Sequence, residues 1–185
     1  MNKILYVLAL VSSAAWAHPY TIDGDPHENV ESVLPKEKVE PLINDSYALL
    51  STAYTDFAKL FNVCQKTPNN PVCDDRYKVV ASCFKKVESN NTVLKALTSD
   101  DMKPIHLPEF QLIELQKNLI KLGYMPETID VHELDRTGLQ LGLDNWAHAN
   151  DLPDADSIYL MHLMLVRSQV LALDMAEARL NYKDE

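Results

Sequence analysis

Apolar residues recur along this chain at spacings of three and four, which predicts helices. Tyr47, Leu50, Tyr54, Phe57, Phe61 and Cys64 follow one another at spacings of 3, 4, 3, 4 and 3, the stripe of an amphipathic bundle helix. Pro41 has no amide hydrogen and limits how far back an unbroken helix extends. Thr67-Pro68-Asn69-Asn70-Pro71 reads as a turn. Beyond it, Tyr77, Val80, Phe84 and Val87 form the stripe of a second helix, with Asp74 and Asp75 at its positive end. A third helix follows Pro104, with Pro108 suited to its first position and Leu112, Leu115, Leu119 and Leu122 as its core face. Gly123 is its natural stop. Thr137 suits the N-cap of a fourth helix that buries Leu139, Leu143 and Trp146, offers Gly138 and Gly142 for close approach, and ends at Pro153. The last helix runs from about Asp156 to Tyr182. Its Ile158 to Val166 run is apolar on nearly all sides apart from His162, the signature of a helix at the centre of a bundle.

These elements predict an all-α fold: a compact helical bundle of about five helices. Only four glycines in 185 residues argue against a β-rich architecture with many tight turns. Residues 36–100 form a cysteine-bearing helical hairpin, and residues 104–185 a three-helix region expected to pack with it as one body. Cys64 closes the first stripe and Cys73 opens the second, so an antiparallel hairpin brings them together at its loop end as a disulfide. Cys83 lies about 15 Å further along the second helix at 1.5 Å per residue, which leaves it a free thiol.

The N-terminus changes the picture of where this fold works. Lys3 gives a positive start, Ile4 to Val11 form a short apolar run, and Ala15-Trp16-Ala17 places small residues at a signal-peptidase site. The run is too short to span a bilayer. Residues 1–17 therefore read as a signal peptide cleaved between Ala17 and His18, and the mature protein as secreted or periplasmic. Residues 18–35 are polar, acidic and without apolar period, an extended or disordered leader. The whole chain carries a net charge of −10. Loss of Lys3 with the signal makes the mature chain more acidic still, which disfavours nucleic acid and anionic lipid as partners. Asn44-Asp45-Ser46 and Asn90-Asn91-Thr92 are glycosylation triplets if the host is a eukaryote.

Leu115-Gln116, Leu119 and Leu122-Gly123-Tyr124, then Asp130, Thr137 and Trp146-Ala147-His148-Ala149-Asn150-Asp151-Leu152, follow a recognisable order. In it residues 114–152 resemble the peptidoglycan-binding-like domain, a three-helix module of cell-wall hydrolases and other exported proteins. The family's turn glycines are Val131 and Leu134 here, and the Gln near its helix end is Ala147. The resemblance implies a shallow groove for peptidoglycan or another glycan. Tyr124 and Trp146 would stack on sugars, and Arg136 would pair with stem-peptide carboxylates.

Other chemistry is thinly marked. His106, His132, His148 and His162 lack metal-site spacing, although Met161-His162-Leu163-Met164 and an N-terminal His18 carry copper-type ligands. The cluster of Asp151, Asp154 and Asp156 lacks the pattern of a calcium loop and is better read as capping the last helix. No serine-hydrolase, P-loop or dinucleotide fingerprint is present. The sequence thus predicts no metal, no cofactor and no catalytic residue. The reading is an exported non-catalytic binding protein of the cell envelope; the alternative is a secreted helical bundle acting on a host or partner protein. The intact mass of the exported protein should correspond to a chain starting at His18, and a mass retaining residues 1–17 would contradict the export reading.

Overall fold

The computed structural model describes residues 34–99 and 103–181, with side chains to residue 179. The signal-like segment, His18 and nearly all of the leader lie outside the described residues. Five α-helices follow in order: α1 (Lys36–Lys66), α2 (Asp75–Leu97), α3 (Glu109–Lys121), α4 (Arg136–Ala149) and α5 (Leu160–Asn181). A 3-10 turn, Pro71–Cys73, joins α1 to α2, and no strand occurs among the described residues. The fold is all-helical, as the periodicity predicts.

Pro41 does not begin α1. The helix runs five residues further back to Lys36. An internal proline costs roughly 3 kcal/mol locally, but Leu34, Val39 and Ile43 are buried in the main core and hold this turn in place. The inner face of α1 also differs in phase from the aromatic stripe. Tyr47, Tyr54 and Phe61 are exposed, while Val39, Ile43, Ser46 and Ala53 are buried. Small Ser46 and Ala53 let α2 approach closely, and the aromatic rings flank the hairpin instead. Phe57 stacks on Phe84 at 5.0 Å and also meets Phe61 and Tyr77. At the loop end Cys64 and Cys73 form a disulfide with Cα atoms 5.4 Å apart, and Cys83 is free.

α2 is stitched to both its neighbours by adjacent asparagines. Asn90 donates from its side-chain amide to the Met164 carbonyl on α5, and Asn91 donates to the Ser46 carbonyl on α1. Both are buried. Val87, Asn90, Asn91 and Leu94 stand at helical spacing on one inward face. Asn90, the acceptor of the second glycosylation triplet, is therefore inaccessible to a glycan in the folded chain.

The α3–α4 pair is organised by its connection. α3 ends in a Schellman cap: the amide of Tyr124 donates to the Leu119 carbonyl, that of Gly123 to Ile120, and Gly123 sits at φ 82°. α4 ends the same way, with the Leu152 amide on the Ala147 carbonyl and Asp151 in the left-handed region at φ 58°. Between them lies Gln116, fully buried, whose amide donates to the Asp130 and Glu133 carbonyls and whose oxygen accepts from the Asp135 amide. The helix starts differ from expectation. Pro108 is the N-cap of α3 rather than its first residue. Asp135, not Thr137, caps α4 by accepting from the Gly138 amide, because the carboxylate reaches the third orphan N–H from two residues earlier. Gly142 admits the Met125 side chain, which a Cβ there would meet at 2.4 Å. Gly138 faces its own cap, Asp135.

α5 packs against α1, α2 and α3. His162 to Val166 are all buried, so the helix is enclosed over more than a full turn. It begins at Leu160, too late for Asp154 or Asp156 to cap it. Asp154 instead pairs with His148 at 2.7 Å. His162 supplies the start signal, its Nδ1 accepting the Tyr159 amide three residues back, as the acid of a capping box would. Salt bridges from Arg167 to Glu114 and from Lys121 to Asp174 tie α5 to α3.

With Nδ1 accepting, the neutral imidazole carries its proton on Nε2, which is buried with no hydrogen-bond partner. Burial pushes the His162 pKa from 6.5 down to about 4. The unfolded chain takes up this proton near pH 6.5 and the folded chain resists it. Stability from this site is therefore complete above 6.5 and is lost as pH falls toward 4, by about 3 kcal/mol in all. Denaturant titrations across that range should show this slope in the parent protein and a flatter one in His162→Gln. Equal slopes in the two proteins would contradict the assignment.

Candidate ligand cleft between α1, α2 and α5

Where α5 leaves the hairpin, small side chains on its inner face and on α1 open a cleft of about 330 Å³. Ala53, Asp56, Lys59 and Leu60 come from α1. Arg76, Val79, Val80, Cys83 and Phe84 come from α2, and Met175, Ala178 and Arg179 from α5. The cleft is lined mainly by apolar side chains. Its back is fixed twice over, since Phe84 stacks on Phe57 and the Cys64–Cys73 bridge closes the end of the same hairpin. A concavity set on rigid elements loses little entropy when it is filled.

Charge gathers around the apolar lining. Arg179 donates twice to Asp56 Oδ2, from Nε at 2.9 Å and Nη2 at 2.6 Å, which joins α5 to α1 across the cleft. Both groups are partly solvated, so the pair contributes at most about 1 kcal/mol to stability and acts chiefly in positioning. Lys59 and Arg76 add two further cations. Cys83 is half-buried, and burial first, then the charge of Asp174, raises its thiol pKa. The thiol is thus held protonated near neutral pH and serves as a soft apolar lining group.

The residues expected to meet glycan fall elsewhere and do not form one surface. Trp146 is fully buried and presents no ring face. Its indole N–H donates to Gln169, Gln169 donates to Asn150, and Asn150 donates back to the Trp146 carbonyl, a closed ring that locks α4 to α5. Tyr124 is half-buried against the main core beside the end of α3. Arg136 is exposed at the start of α4 and lies 3.5 Å from Glu109. His162 and Met164 are core residues. Among the described residues no group of three or more His, Cys, Asp or Glu is placed to hold a metal ion. No described helix is long and apolar enough to cross a membrane.

Sequence reasoning missed the cleft because its members are scattered and individually ordinary. The available signal was Ala53, a small residue at an inward position of α1 between larger ones, together with a free cysteine at half depth on α2. Comparison of the chain with family models, with curated proteins and with solved structures finds no match.

Proposed function

We propose that this chain is an exported, non-catalytic binding protein of the cell envelope, and that the cleft between α1, α2 and α5 is its ligand site. The observation that carries the reading is the cleft itself. It has apolar walls on three packed helices, cations beside them, and a disulfide-closed hairpin as its frame. Its volume lies at the lower end of the roughly 300–1,000 Å³ common for small-molecule sites. The signal-like N-terminus and the disulfide support an extracytoplasmic setting, where such bridges persist.

A second reading places wall polymer on the α3–α4 unit. It is favoured by the two Schellman caps and the Gln116 clamp, which stand on residues of the peptidoglycan-binding-like pattern. Tyr124 and Arg136 would carry it without Trp146.

The cleft reading is tested with Nile red, a neutral apolar dye whose fluorescence rises on leaving water. The parent protein should show one saturable site. Val79→Glu, a change at an exposed position of the wall, should abolish it while leaving the melting temperature unchanged. Absence of saturable binding, or equal binding by the variant, would overturn the cleft as ligand site. Retention on purified sacculi that is lost in Arg136→Ala would support the wall reading instead.

A further inference from the structure

Three aromatic rings stand in line on the flank of α1 that faces away from the cleft. Tyr47, Tyr54 and Phe61 are 40%, 58% and 39% exposed, and their spacing of seven keeps them within about 40° of one another round the helix. Asp56, which lines the cleft, lies about 140° or more from each of them. Two of the rings are braced from behind. Tyr54 packs on Phe84 with ring centroids 5.8 Å apart, Phe61 packs on Phe57 at 5.7 Å, and Phe57 stacks on Phe84. Rings held in this way lose little freedom when something settles on them. Their surroundings carry no charge. Charged residues make up 24% of the chain. Between Asn44 and Gln65, however, the charged side chains of α1 are Asp45, Asp56 and Lys59, all about 120° or more round the helix from the rings. Asn44, Ser51, Thr55, Asn62 and Gln65 border the rings instead, exposed amides and hydroxyls that both donate and accept hydrogen bonds.

A row of exposed rings marks a surface that a partner covers. A packed helix or a lipid surface needs aliphatic side chains beside the rings, where this face has amides and hydroxyls. Charge narrows the choice further. A polyanion is repelled by a chain of net charge −10, and a polycation meets no carboxylate of α1 among the rings. An uncharged polyol matches both halves of the face: the C–H faces of its sugars lie on the rings, and its hydroxyls meet the amides and hydroxyls. We propose that this flank of α1 binds an uncharged, extended polysaccharide chain of the β-1,4-linked class. The pitch selects the linkage. Seven residues advance about 10.5 Å along a helix, and sugars two apart in an extended β-1,4-linked chain present the same face after much the same advance. The α-1,4-linked chain of the same sugar coils away from that line. Tyr47 to Phe61 spans two such repeats. The surface lies on the opposite side of α1 from the cleft, so it goes beyond the ligand site placed there and stands apart from it.

Isothermal titration calorimetry with oligosaccharides of defined linkage tests this. Cellohexaose or chitohexaose should bind the parent protein saturably. Cellobiose, which reaches one ring at a time, should bind about tenfold or more weakly than cellohexaose, and maltohexaose should not bind. Tyr54→Ala should weaken hexasaccharide binding by about fivefold or more with the helical circular dichroism unchanged. Tyr54→Phe keeps the ring and should bind as the parent does, and so should Val79→Glu, whose change lies in the cleft. No saturable binding of either β-linked hexasaccharide, equal binding of maltohexaose, or parent affinity in Tyr54→Ala would overturn the assignment. A dimer in sedimentation that Tyr54→Ala dissolves, without sugar binding, would overturn it too and give the face to a second copy of the chain.

Discussion

Four successive apolar side chains, Leu163, Met164, Leu165 and Val166, are all buried on α5. Consecutive residues on a helix point about 100° apart, so their joint burial requires neighbours all the way round. No two-helix arrangement can supply that. The hairpin of α1 and α2 covers part of the circumference and α3 covers another, so each half of the chain completes the burial of the same helix. Fully burying side chains of this kind contributes roughly 1.5–3 kcal/mol each, which makes α5 the element on which the rest of the packing depends.

An enclosed helix restricts where polar groups go, and the structure answers with a few hydrogen bonds between helices. Asn90 reaches the α5 backbone, Asn91 reaches α1, and Gln169 closes its ring with Trp146 and Asn150. Each bond is worth about 1 kcal/mol net, but a buried partner left alone costs more, so these residues fix which helix faces meet. Three of these groups are only partly satisfied: Asn90 and Asn91 each leave Oδ1 buried without a partner, and His162 gives one nitrogen to the helix start and leaves the other buried alone. The cleft follows from the same geometry. Toward the C-terminal end of α5 the enclosure gives way, Met175 being followed by exposed Ala176 and Glu177. There Ala53 and Ala178 fail to fill the space between three helices, and a polar latch from Arg179 to Asp56 takes over from core packing.

The helices, the disulfide and the central place of α5 were legible because each leaves a local or periodic mark: a 3–4 spacing, two cysteines flanking one turn, an apolar run without a polar face. The phase of α1 was not, since Tyr and Phe are large apolar residues that serve equally on a hairpin flank, while the inner positions fell to Ser46 and Ala53. Asn90 and Asn91 looked like surface residues by type, although their spacing with Val87 and Leu94 put them on the inward face. Thr137 looked like a cap by type, yet the chain gave that task to Asp135, whose amide Gln116 holds from another helix. Trp146 could stack on a sugar or fill a core, and only the tertiary partner Gln169 decides between them. The cleft depended on which small residues from three separate helices face one another, a relation that no single stretch of sequence carries.

Leu163→Ala tests the dependence on α5 most directly. It removes a fully buried side chain from the helix that both halves enclose, at a cost of about 2–5 kcal/mol, a large part of the roughly 5–15 kcal/mol that holds a domain folded. Denaturant unfolding followed by two probes, circular dichroism for all the helices and tryptophan fluorescence for Trp146, should give coincident curves that shift together to lower midpoint. A helix signal in two transitions, with only the one that coincides with the tryptophan signal moved, would contradict the account.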